Sequence, residues 1–135
     1  MAEELLGCWE LVSSEGFDEY MKGIGVSYAT RKAAGFLKPV VTISKNGEKW
    51  SIKTVSAFTT TDLSFTINEL FDENTADDRK CKTIVTLEDG KLIQLQKWDG
   101  KESTITREVK NGQMITICIF GDVKCNRVYQ REKPK

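Results

Sequence analysis

Five tight-turn dipeptides constrain this chain more than any other feature. Asn46-Gly47, Asp89-Gly90, Asp99-Gly100, Asn111-Gly112 and Gly121-Asp122 recur at short spacing between alternating apolar and polar runs. Asn-Gly and Asp-Gly between such runs are strong hairpin signals, because both loop positions must tolerate φ > 0. Many short strands joined this way read as an antiparallel sandwich or an up-and-down barrel. Closing the sheet removes exposed edges, which favours the barrel.

The hairpins also fix register, and register fixes faces. With Asn111-Gly112 as the loop, Lys110 pairs with Gln113 and Arg107 falls opposite Thr116. With Gly121-Asp122 as the loop, Phe120 pairs with Val123, Cys118 with Cys125, and Thr116 with Arg127. Arg107, Thr116 and Arg127 then form one cross-strand row, with neighbours about 5 Å apart. Tyr129 lies two residues along, on the same face. The Asp99-Gly100 hairpin sets Gln94 opposite Ile105 and Leu92 opposite Arg107, which brings Leu92, Gln94, Gln96 and Trp98 to that face. The Asn46-Gly47 hairpin sets Ile43 opposite Trp50 and Val41 opposite Ile52, with Thr54, Ser56 and Phe58 continuing inward.

Which face is interior is contested. In the last strand, Val123, Cys125, Arg127 and Tyr129 make the better interior against Lys124, Asn126, Val128 and Gln130. The preceding strand argues the other way, since Ile115, Ile117 and Ile119 oppose Met114, Thr116, Cys118 and Phe120. The last strand decides the reading, against the alternative of arginines on a solvated surface. That interior mixes Thr, Ser, Gln, Arg and Tyr with large apolar groups, whereas a packed core is almost purely apolar. Two buried arginines without acidic partners on their own strands call for an external anion. A mixed interior suits a hydrated cavity holding one amphipathic carboxylate.

Before the hairpins comes a helical stretch. Leu5–Val12 reads as a first strand, and Ser14 as an N-cap for a helix through about Ile24. Gly25 breaks this helix, Ser27 caps a second through about Phe36, and Pro39 ends it. Lys22, Arg31 and Lys32 give the pair a basic outer face, suited to transient contact with anionic membranes or to simple solvation. Residues 67–79 read as a less regular loop.

Composition removes several classes of function. The chain has 135 residues, a natural length for one domain spanning 1–135. Twenty basic and twenty acidic residues cancel, so there is no footprint for nucleic acid. There is no histidine, which removes imidazole acid–base and triad chemistry. The four cysteines lack metal-ligand spacing, so neither a metal nor another cofactor is expected, and an enzyme is disfavoured. Cys118 and Cys125 face each other within disulfide reach, although no bridge is required. Met1–Leu6 shows no apolar signal core, so a cytoplasmic protein is expected.

The chain resembles the intracellular lipid-binding proteins, in particular the adipocyte, myelin, epidermal and heart fatty-acid-binding branch. The resemblance is carried by Gly7, Trp9, Leu11-Val12, Ser14, Phe17-Asp18 and Tyr20-Met21, then Ala29-Thr30-Arg31-Lys32 and Lys38-Pro39. It continues through Thr75-Ala76-Asp77-Asp78-Arg79-Lys80, Gln96, Trp98-Asp99-Gly100-Lys101-Glu102 and Arg127-Val128-Tyr129. The ordered set spans nearly the whole chain. It implies a ten-stranded antiparallel β-clam, all-β apart from a helix-turn-helix lid at about residues 15–37. It also implies non-covalent binding of long-chain fatty acids, with the carboxylate on Arg107, Arg127 and Tyr129. The acyl chain and portal would map to Phe17, Tyr20, Met21, Pro39, Phe58, Ala76, Asp77, Arg79, Ile105, Thr116 and Cys118. A retinoic-acid carrier is the nearest alternative, a membrane-surface lipid-transfer protein is another, and a nuclear role is left open. Trp50, inward where a smaller aliphatic residue is usual, is expected to reshape the cavity. Outward Val55 and Ile117 stand where acidic residues are common.

Overall fold

The turns behave as their chemistry requires. In the computed structural model, which describes residues 3–57 and 59–132, Asn111 and Gly112 have φ of 53° and 78°. Asp99 and Gly100 have 46° and 75°, and Asp89 and Gly90 have 52° and 79°. Positive φ at both loop positions matches the right-handed twist of the flanking strands. Ten strands result: β1 Gly7–Glu15, β2 Val40–Asn46, β3 Lys49–Val55, β4 Thr60–Thr66, β5 Phe71–Asn74, β6 Lys80–Glu88, β7 Lys91–Trp98, β8 Lys101–Lys110, β9 Gln113–Phe120 and β10 Val123–Arg131. They form one antiparallel sheet in the order β4-β3-β2-β1-β10-β9-β8-β7-β6-β5, curled into a nearly closed barrel. Two short helices, α1 Phe17–Gly23 and α2 Tyr28–Gly35, join β1 to β2.

The registers of β7–β8, β8–β9 and β9–β10 are those the turns dictate. Gln94 faces Ile105, Arg107 faces Thr116, and Thr116 faces Arg127. The first hairpin differs. Asn46 pairs with Lys49, so Ile43 faces Ile52 and Lys45 faces Trp50. The loop is Gly47-Glu48, with Gly47 alone at positive φ (64°), so the turn is of the kind that begins with Gly. The displacement is two residues, so every side chain keeps its face.

Other expectations are corrected near the N-terminus. Glu3–Leu5 is a 3-10 turn, and β1 begins at Gly7 and continues through Ser14 to Glu15. Ser14 therefore caps nothing. Gly16, at φ 77°, precedes α1 without a side-chain cap. A Cβ at Gly16 would stand 2.5 Å from the Lys124 carbonyl, so the chain can enter the lid there only without a side chain. Ser27 does cap α2, accepting from the Thr30 amide at 3.4 Å. The stretch 67–79 is not all loop, because it contains β5. A bulge at Val12 resets β1, so Leu11 faces Tyr129 and Ser14 faces Arg127. Without that extra residue Ser13 would take the inward position.

The interior has two apolar clusters. One gathers Leu5, Trp9, Ile43, Trp50, Ile52, Phe65, Val85, Leu92 and Met114, all nearly or wholly buried. Arg131 closes its end. The guanidinium lies 4.2 Å from the Trp9 ring and donates to the Leu6 and Glu4 carbonyls at 2.9 and 2.6 Å. Trp50 belongs to this packed end, so it fills the base of the barrel and does not stand on the cavity wall. The second cluster seats the lid, with Tyr20, Met21, Ile24 and Val26 against Trp98, Cys118 and Cys125.

Candidate functional site

Between these clusters lies a cavity of about 290 Å³, near the lower end of ligand-pocket sizes, about 300–1,000 Å³. Its floor and wall carry Arg107, Thr116, Arg127 and Tyr129 from β8, β9 and β10. Its roof is Phe17, Tyr20 and Met21 from α1. Pro39, Ala76, Asp77, Arg79, Ile105 and Cys118 complete the set anticipated from the sequence. Phe58 lies outside the described residues.

Both arginines are inside, which overturns the solvated-surface alternative. Arg127 is 7% exposed and Tyr129 6%. Arg127 donates through Nε to the Tyr129 hydroxyl at 3.3 Å and through Nη1 to Ser14 Oγ at 3.2 Å. The Phe17 ring covers the guanidinium at 3.8 Å. Because Tyr129 accepts from Arg127, its own proton remains available to an incoming acceptor. Arg107 donates to Gln94 Oε1 at 2.8 Å. Among the described residues, neither Arg107 nor Arg127 forms an ion pair. Arg127 is buried and Arg107 half-buried, and a guanidinium withdrawn from water without a counter-ion meets the electrostatic condition for anion binding.

Sequence reasoning missed a buried acid. Glu73, on β5, is 9% exposed, and its Oε1 accepts from Thr83 Oγ1, Gln94 Nε2 and Gln96 Nε2 at 2.9, 2.9 and 3.0 Å. Gln94 then accepts from Arg107, and Gln96 Oε1 from Arg79 Nη1 at 3.4 Å. One carboxylate thus orients both glutamines with their carbonyls toward the two cations. Inward glutamines on adjacent positions of β7 were the available signal, because buried amides require partners.

On the cavity wall just before β6, Arg79 Nε bonds Asp77 Oδ2 at 2.7 Å and its guanidinium lies 4.4 Å from the Trp98 ring. Burial pushes the Asp77 carboxyl up, but hydrogen bonds from Arg79 and Thr75 outweigh it, and its pKa lies below the ordinary value. Tyr20 bonds Ser103, and burial pushes its phenol up to about 12. Cys118 and Cys125 are free thiols. The Cys118 thiol is lowered by the hydrogen bond from Cys125, against burial, with help from the positive charge of Arg107 and Arg127.

The proposed basic face of the lid is smaller than expected. Arg31 is turned inward, 3.0 Å from Asp18 Oδ1 and 2.8 Å from the Val26 carbonyl, so it ties α2 to α1 and the loop between them. Lys22 and Lys32 remain exposed. No helix among the described residues is long and apolar enough to cross a membrane.

Comparison with known proteins agrees with this architecture. The adipocyte fatty acid-binding protein of Pygoscelis papua is 51% identical over 131 residues, covering 97% of this chain and 99% of that one. A solved structure described as the REP1-NXSQ fatty acid transporter superposes with a TM-score of 0.95 at 46% identity, covering 99% of this chain and 100% of the other. A Schistosoma mansoni fatty acid binding protein, solved in complex with arachidonic acid, gives 0.95 at 36% identity and 98% coverage of each chain. Residues 6–132 match the lipocalin / cytosolic fatty-acid binding protein family, and the chain belongs to that family.

Proposed function

We propose that this protein is a cytoplasmic carrier of long-chain fatty acids, bound non-covalently inside the barrel. The observation that carries this reading is the pair Arg107 and Arg127, inside the cavity and, among the described residues, without acidic partners. The guanidiniums and the Tyr129 hydroxyl hold the carboxylate, and the apolar residues beneath the lid receive the tail. Each buried methylene contributes about 0.8 kcal/mol, so a long tail gains on the order of 10 kcal/mol before ordering costs. The tail supplies most of the affinity, and the cations set orientation and headgroup preference. Neither a metal nor a cofactor has a role in this reading.

Calorimetric titration with oleate and oleyl alcohol tests it. Arg107→Gln is expected to weaken oleate by about tenfold to a hundredfold, with a much smaller effect on the alcohol. Equal losses for acid and alcohol would remove the anchor role. Displacement of a fluorescent probe by oleate against retinoic acid separates the fatty-acid reading from the retinoid one.

A second reading concerns delivery. Exposed Lys22 and Lys32 stand on the lid helices, and Phe36, at the C-terminal end of α2, is 81% exposed. Transfer by collision with anionic bilayers predicts faster ligand delivery to anionic than to neutral vesicles, slowed by salt. Salt-insensitive, equal rates would favour diffusion through water.

A further inference from the structure

The Thr116 hydroxyl is buried, and among the described residues it has no hydrogen-bond partner. It lines the cavity at the midpoint of the cationic row, paired with Arg107 on one side and Arg127 on the other. An anion shared by guanidiniums from β8 and β10 must sit over the strand between them, which is β9. Thr116 is the inward residue of β9 at that level.

We infer that Thr116 is a headgroup ligand whose hydroxyl donates a hydrogen bond to the carboxylate held by Arg107 and Arg127. This rests on the carboxylate reading above, and it moves Thr116 from the acyl-chain contacts implied by resemblance to the polar end of the site. The chemistry favours the assignment. Valine has nearly the same shape, suits a strand equally well and carries no polar atom to desolvate. A hydroxyl there with no partner among the described residues destabilises the unliganded fold and gains when a polar ligand meets it. As an uncharged donor it also adds no repulsion to a site already holding two cations.

The test combines Thr116→Val, Thr116→Ala and Thr116→Ser with the Arg107→Gln protein, titrated with oleate and oleyl alcohol and melted without ligand. Removing the hydroxyl, as Val or as Ala, is expected to weaken oleate about tenfold and the alcohol by about twofold or less. Ser is expected to stay within about threefold of wild type for oleate. Unliganded Thr116→Val is expected to melt at the same temperature or higher, so stability and acid affinity move in opposite directions. Oleate affinity unchanged or improved in Thr116→Val would overturn the inference, as would equal losses of acid and alcohol. If Arg107→Gln discriminates acid from alcohol and the Thr116 variants do not, this inference alone fails. If Arg107→Gln shows no discrimination, the carboxylate reading fails with it.

Discussion

The two ends of the barrel interior use the same alternating strands for opposite purposes. At the closed end, Trp9, Ile43, Phe65, Val85 and Leu92 are at most 1% exposed and form a contiguous apolar cluster. Toward the lid, the same strand faces carry Arg127, Thr116, Gln94 and Gln96 around open volume. Moving two residues along β10 from Tyr129 to Arg127 passes from the packed cluster to the cation beneath the lid. Stability is concentrated where ligand cannot reach, which leaves the other half free to keep polar groups that a solid core would exclude.

Substitutions should separate the halves. Trp9→Ala is expected to have the largest effect, about 3–5 kcal/mol lost in urea denaturation, because it opens a void and removes the ring beneath Arg131. Its acid-over-alcohol preference should be unchanged in the folded protein. Loss of that preference would show that the two ends are not separable. Glu73→Leu comes next, at roughly 3 kcal/mol, because Thr83, Gln94 and Gln96 lose a shared acceptor. Unlike Trp9→Ala, it should also weaken oleate, since Gln94 no longer positions Arg107. A purely structural Glu73 would leave oleate affinity intact in calorimetry.

The smallest effect is expected at Asp77. Asp77→Asn should cost about 1 kcal/mol at neutral pH, after allowing for solvent screening. The folded-state pKa of Asp77 lies below its ordinary value, so its contribution is fully present above the ordinary carboxylate value. It is lost as pH falls through the lowered folded value. Stability curves of wild type and Asp77→Asn should therefore converge in acid and separate toward neutrality, and parallel curves would remove Asp77 as the source.

Where local chemistry decides structure, the sequence was readable. Asn111-Gly112, Gly121-Asp122 and Asp99-Gly100 place Arg107, Thr116, Arg127 and Gln94 on one face through turn geometry alone. The Asn46-Gly47 signal was ambiguous because glycine can occupy either loop position, and here it takes the first. Ser14 illustrates a different limit. A serine before an amphipathic run looks like a cap, but a one-residue bulge keeps it in the strand and turns it toward Arg127. Glu73 was hidden for a third reason. Its partners lie 10 to 23 residues away in sequence, so the bonds exist only once β5, β6 and β7 are assembled. Arg31 looked exposed by helical position, yet Asp18 and the Val26 carbonyl draw it in.

The contact between Phe17 and Arg127 ties the first helix to the cation it roofs. The roof rests on the cation proposed to hold the headgroup, so a carboxylate seated there would meet the Phe17 ring as well. Ligand entry, on the reading proposed above, would then be reported by the position of α1 as well as by occupancy of the cavity.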